Sequence, residues 1–211
     1  MKTVVVTNTY NVYKFNELTE SAKESVKRWY LDGQPEFIFT EDCKQDLENL
    51  FGKNELDVQY SLASCQGDGF NIYGEIDAEN IFECLEKHNG GTQLEQFENV
   101  LTEKEKKTIL HYAKECGAIK LPTNNHYCYS LADYIDIADD WEYQLDYYSG
   151  YRNINTETLK KFEKLVRDIF AKLCRSYEKM GYEYFYEISD EDLEDMCEAN
   201  GYEFLEDGTL F

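Results

Sequence analysis

Several features that would mark an enzyme or a secreted protein are missing from this chain. Only two prolines occur, Pro35 and Pro122, so no proline-rich linker divides it. Histidine appears three times, as His88, His111 and His126, with no HExxH motif and no i, i+4 pair, which argues against a zinc hydrolase. His111 borders the apolar stripe of an expected helix and reads as a structural histidine. The seven cysteines, Cys43, Cys65, Cys84, Cys116, Cys128, Cys174 and Cys197, are odd in number and form no CxxC pair. That disfavours a disulfide framework and a zinc ribbon and fits reduced thiols of a cytoplasmic protein. No GxSxG or Cys/His signature stands out. No apolar run approaches the roughly 18 residues of a membrane span, and the opening MKTVVVTNTY is too short and polar for a signal peptide. Neither a cofactor nor a metal is expected.

Base is the scarcest commodity of all in two places. The chain of 211 residues holds 43 acids against 21 bases, a net charge of −22. Direct nucleic-acid binding through a basic footprint is therefore disfavoured, as is an anionic membrane surface. From Leu121 to Tyr151 no Lys or Arg occurs, while Asp133, Asp136, Asp139, Asp140, Glu142 and Asp146 do. From Met180 to Phe211 there is again none, and the acids include Glu187, Asp190, Glu191, Asp192, Glu194, Asp195 and Glu198. Helical neighbours three or four apart are about 5–6 Å apart. Alternate strand residues are about 6–7 Å apart. Both spacings resemble that of phosphates along one nucleic-acid strand, so a folded acidic face can address a protein groove built for phosphate. Tyr147, Tyr148 and Tyr184 lie among these acids as expected interface anchors, with Tyr134, Trp141, Tyr143, Tyr182 and Tyr186 interleaved.

What is present describes a folded α+β chain. Aromatics make up 15% of the residues, too many for a disordered polyanion. Lys2–Thr7 reads as a strand. Thr19 caps a helix whose stripe is Ala22, Val26, Trp29 and Tyr30, and Thr40 opens a second with Cys43, Leu47, Leu50 and Phe51 inside and Gly52 at its end. Period-two alternation on both sides of residues 65–69, CQGDG, predicts a hairpin. Asp77 starts a short helix, and Thr102-Glu103-Lys104-Glu105 is a capping box for another that ends at Gly117. Tyr127–Ile137 alternates like a strand. A long helix is predicted over 156–180 from Leu159, Phe162, Val166, Ile169, Phe170, Leu173 and Tyr177. Ser189 caps a last helix, and the tail YEFLEDGTLF suggests strand, turn, strand. The expectation is one domain over 1–211, with a possible subdivision near residue 90, built from antiparallel hairpins and five to six helices.

The turn CQGDG is the only candidate for a ligand loop. A phosphate loop needs backbone N–H groups opening into a helix, often with a Lys; this one opens into a strand and lacks the Lys. A calcium loop needs several carboxylates, and only Asp68 is present. Its glycines read as turn geometry, with Asp68 as one more surface carboxylate.

Residues 13–23, YKFNELTESAK, and the ending YEYFYEISDEDLEDMCEANGYEFLEDG over 182–208 resemble an uncharacterised family of phage and mobile-element proteins. The hairpin around GDG fits that pattern, and residues 80–155 lie outside it. Acidic phage proteins of this kind resemble inhibitors of host defence. The resemblance implies a non-enzymatic, phage-encoded protein acting in the host cytoplasm, an anti-CRISPR or anti-restriction inhibitor. Its target would be a basic nucleic-acid-handling protein, a Cas9-type effector first and a restriction enzyme second. The alternatives are an antitoxin-like or regulatory module that binds through an apolar face, and a metal-dependent hydrolase using clustered carboxylates.

Overall fold

The hairpin predicted around CQGDG supplies two of the three strands of the only sheet among the described residues. The structure, a computed structural model, describes residues 2–4, 7–151 and 153–211. Strands β1 (Glu55–Ser61) and β2 (Gly69–Ile76) pair antiparallel, with Val58 opposite Ile72 and Ser61 opposite Gly69. A third strand, β3 (Ile119–Leu121), pairs antiparallel with the far end of β2. Strand β2 buries Phe70, Asn71 and Ile72 in succession, so both of its faces are covered there and Asn71 is inside where strict alternation places it outside.

Eight α-helices accompany the sheet among the described residues, more than the five to six expected. They are α1 (Glu20–Asp32), α2 (Glu36–Phe51), α3 (Ala78–Glu86), α4 (Gly91–Leu94), α5 (Glu103–Cys116), α6 (Ala138–Tyr147), α7 (Thr156–Tyr186) and α8 (Asp190–Asn200). The class is α+β. Helix α2 starts four residues before Thr40, directly after Pro35; the Thr40 hydroxyl donates to the Glu36 carbonyl at 3.0 Å inside the helix. Helix α7 runs six residues past Met180, because GYEYFY contains no breaker stronger than one glycine. Of the expected first strand, Val5 and Val6 lie outside the described residues, and Lys2–Val4 and Thr7 have no regular structure.

Two compact units divide the chain, residues 36–181 and a discontinuous unit of residues 1–35 with 182–211; residue 90 lies inside the former. The larger unit is organised on α7. Its buried stripe meets α2 through Phe51–Phe170 (ring centroids 5.6 Å) and α3 through Phe82–Phe162 (5.4 Å). It meets α6 through Trp141–Phe162 (6.0 Å) and β2 through Phe70–Tyr177 (5.3 Å). The Tyr177 hydroxyl donates to Asp46 at 2.6 Å, and burial, then that bond, push its pKa far up.

In the discontinuous unit, Phe15, Leu18, Ala22 and Val26 from the first segment bury against Leu193, Cys197 and Phe204 from the last. Thr19 and Ser189 cap α1 and α8 by accepting from Ala22 N–H and Asp192 N–H. Tyr13 and Phe204 exchange backbone hydrogen bonds of 2.9 Å both ways. The tail forms isolated bridges, Tyr13 to Phe204 and Phe204 to Leu210, rather than strands. Gly208 has φ +87°, and a Cβ there would stand 2.3 Å from the Ala22 carbonyl oxygen, so only glycine lets the tail close on α1.

Candidate acidic and tyrosine-rich interface

Tyr127–Ile137 is not a strand, despite its alternation. Residues 122–131 are held by single hydrogen bonds, most of them from side chains, instead of a ladder. Asn71 Nδ2 donates to the Pro122 carbonyl at 3.0 Å, and its Oδ1 accepts from Leu131 N–H at 2.9 Å. Gln59 Nε2 donates to the Asn124 carbonyl at 2.7 Å. The Cys128 N–H donates to the Gly67 carbonyl at 3.0 Å, which lays the segment across the hairpin turn. The turn glycines are needed for that contact: at Gly67 (φ +93°) a Cβ would meet the Tyr127 ring at 2.4 Å, and at Gly69 it would meet the Tyr129 Cα at 2.9 Å. Asp68 is more than a surface carboxylate. It accepts from Ser61 Oγ (2.6 Å), Cys65 N–H (2.7 Å) and Cys65 Sγ (3.1 Å), and these bonds lower its pKa.

Helix α6 follows, with little sign in the residue pattern to mark it. Its apolar stripe is short: Ala138, Trp141 and Leu145. Glu163, from the facing turn of α7, accepts from Ile137 N–H and Ala138 N–H, both at 2.9 Å, and caps the helix from outside. Arg167 holds Glu163 at 2.9 Å and donates from Nε to the Ile135 carbonyl at 2.8 Å. Neither residue was a sequence candidate; a Glu four positions before an Arg on a helix is too common to single out.

So fixed, α6 leaves Asp139, Tyr143, Asp146 and Tyr147 exposed away from the stripe, with Glu142 half-buried at its flank. Asp139, Glu142, Tyr143 and Asp146 line an open cleft of about 620 Å³ with Tyr151, Asn153 and Ile154. Beside it stands a group of exposed rings. Tyr143 stacks on Tyr147 (5.5 Å, 9°), and Tyr148 meets both edge-on at 6.1 and 5.0 Å. Tyr147 and Tyr148 are 70% and 73% exposed, an unusual cost for aromatic surface. Asp133 and Asp136 lie exposed just before α6, and Asp140 accepts from Gln144 at 2.9 Å on its flank. The Tyr151 hydroxyl and His111 Nε2 are 2.8 Å apart, so that histidine is satisfied although exposed.

The second candidate group belongs to the discontinuous unit and is more structural. Asp192 is part of the α8 cap, Glu194 accepts from Asn16 Nδ2 at 2.8 Å, and Asp190 is 4.0 Å from Lys27. Glu187, Glu191, Asp195 and Glu198 are exposed, and Tyr184 is half-buried against Phe185. The two groups therefore belong to different units. Among the described residues no cluster of three or more His, Cys, Asp or Glu is placed to hold a metal ion, and no described helix is long and apolar enough to cross a membrane. No family model, curated protein or solved structure matches the chain.

Proposed function

We propose that the chain acts as a non-catalytic binder of a basic, nucleic-acid-handling protein, and that the α6 face is its contact surface. One observation carries the reading. Three mutually packed, exposed tyrosines stand beside Asp139, Glu142 and Asp146 on α6 and at its C-terminal end, within a stretch that contains no Lys or Arg from Leu121 to Tyr151. Aromatic anchors with few rotatable bonds supply contact area at low entropic cost, and the carboxylates steer a cationic partner onto them. The resemblance of the two chain ends to phage proteins adds the class of target: a host defence nuclease, a Cas9-type effector first and a restriction enzyme second. Inhibition would follow from occupying a groove that otherwise holds phosphate.

The test is binding of the full chain to a purified Cas9-type effector, with and without guide RNA, and to a restriction enzyme, at 50 and 500 mM salt. Affinity for one of them should fall at least about tenfold at high salt, since exposed charges are screened there. Tyr147→Ala with Tyr148→Ala should weaken it by a further factor of about ten or more. Binding to none of these proteins at low salt, or binding indifferent to both salt and the tyrosine pair, overturns the proposal.

A further inference from the structure

A concave surface of opposite sign lies on α7. Lys161, Lys164, Asp168, Lys172 and Arg175 fall at intervals of three and four along that helix, within one face, and with Gln96, Phe97, Val100 and Leu165 they line a cleft of about 520 Å³. Its charges are unevenly balanced. Lys161 is held by Glu105 at 2.9 Å and Glu157 at 3.6 Å, and Lys164 by Asp168 at 2.8 Å. Lys172 and Arg175 are paired with no carboxylate among the described residues, although the chain holds 43 acids. Asp168, which lines the same cleft one turn before Lys172, is taken by Lys164, so this end of the cleft stays net positive. Toward the other end the lining is apolar: Leu165 is buried, Phe97 half-buried and Val100 47% exposed. From Leu165 to Lys172 is seven residues, about 10 Å along a helix.

We propose that this cleft binds a phosphate monoester with an apolar body, the phosphate on Lys172 and Arg175 and the body over Phe97, Val100 and Leu165. Two adjacent cations match a group that carries a charge of about −1.5 to −2 at neutral pH. The guanidinium offers a planar pair of donors to phosphate oxygens and the ammonium a point charge. The cleft volume lies within the range of about 300–1,000 Å³ typical of small-molecule sites. A nucleoside monophosphate and a single-chain alkyl phosphate share this chemistry, and the experiment separates them.

Isothermal titration of the full chain in 50 mM salt would use AMP and monomeric octyl phosphate as ligands, with inorganic phosphate and octyl glucoside as controls. At least one monoester should bind with a Kd below about 1 mM, and inorganic phosphate and the uncharged glucoside at least about tenfold more weakly. Which monoester binds identifies the source. Lys172→Ala with Arg175→Ala, both on the solvent side of α7, should weaken binding by at least about tenfold while the melting curve stays unchanged. Val100→Asp should do the same from the apolar end. The proposal is overturned if neither monoester binds, if inorganic phosphate binds as well as they do, or if the double substitution leaves the Kd unaltered.

Discussion

Asp68 shows how a residue that fails as a ligand can still be a working part. Its carboxylate closes the hairpin turn on Ser61 and Cys65, and the bond it accepts from the Cys65 thiol, then burial, raise that thiol's pKa. Asp68→Ala should lower the melting temperature by a few degrees and make Cys65, the exposed cysteine, react faster with a disulfide reagent at pH 8. An unchanged reaction rate would show that Asp68 does not restrain the thiol. Burial, its first cause, pushes Cys43 up to about 12, and burial does the same for Cys84 and Cys116, to about 11, so these should stay unreactive until the chain unfolds. Glu105 carries the clearest acid dependence. The Lys161 ammonium, then the Thr102 N–H and hydroxyl, hold its pKa down at about 2. An unfolded glutamate titrates near ~4.3, so the folded chain binds its proton later than the unfolded chain does. The stabilisation is complete above the unfolded value and disappears as pH falls through about 2. Melting temperatures of the native chain and Glu105→Gln should therefore differ at pH 6 and converge toward pH 2. A constant gap would contradict the assignment.

At the scale of elements, α6 depends on a residue outside it. Glu163 takes two orphan N–H groups at the start of α6 while paired with Arg167. Glu163→Ala should cost about 1–3 kcal/mol and selectively speed amide exchange over residues 137–147, with slower loss elsewhere in α7. Uniform acceleration would mean α6 is not held this way. The same dependence explains what could be read in advance. Elements whose signals are local were legible: the Thr19, Thr102 and Ser189 caps, the α7 stripe and the hairpin all stand where composition placed them. Segments organised by distant partners were not. Tyr127–Ile137 alternates like a strand, but its Leu131 N–H goes to Asn71 Oδ1 and its Cys128 N–H to the Gly67 carbonyl. The three-residue β3 has no pattern long enough to see. The candidate acids were half legible. Their lack of bases was plain in the sequence, but the split into a tyrosine-lined face on α6 and a more structural set on α8 required the fold.

For the whole molecule, the division of the chain matters more than its total charge. The two end segments, residues 1–35 and 182–211, far apart in sequence, share one small core, and the middle of the chain has its own. Leu193 and Phe204 are fully buried at the seam between the segments. Leu193→Ala should cost about 2–5 kcal/mol, lost transfer energy plus the cavity, and its effect should stay within residues 1–35 and 182–211. The larger unit contains the sheet, the buried stripe of α7 over 156–181, the α6 face and the basic cleft, so it holds both proposed binding surfaces. A fragment of residues 36–181 should therefore melt cooperatively, with helical and sheet signals in circular dichroism, and should retain binding through Tyr147 and Tyr148. If the fragment is unfolded, the larger core does not suffice without the ends. If it folds but loses the basic partner, the α8 acids contribute to the contact, and recognition belongs to both units rather than to α6 alone.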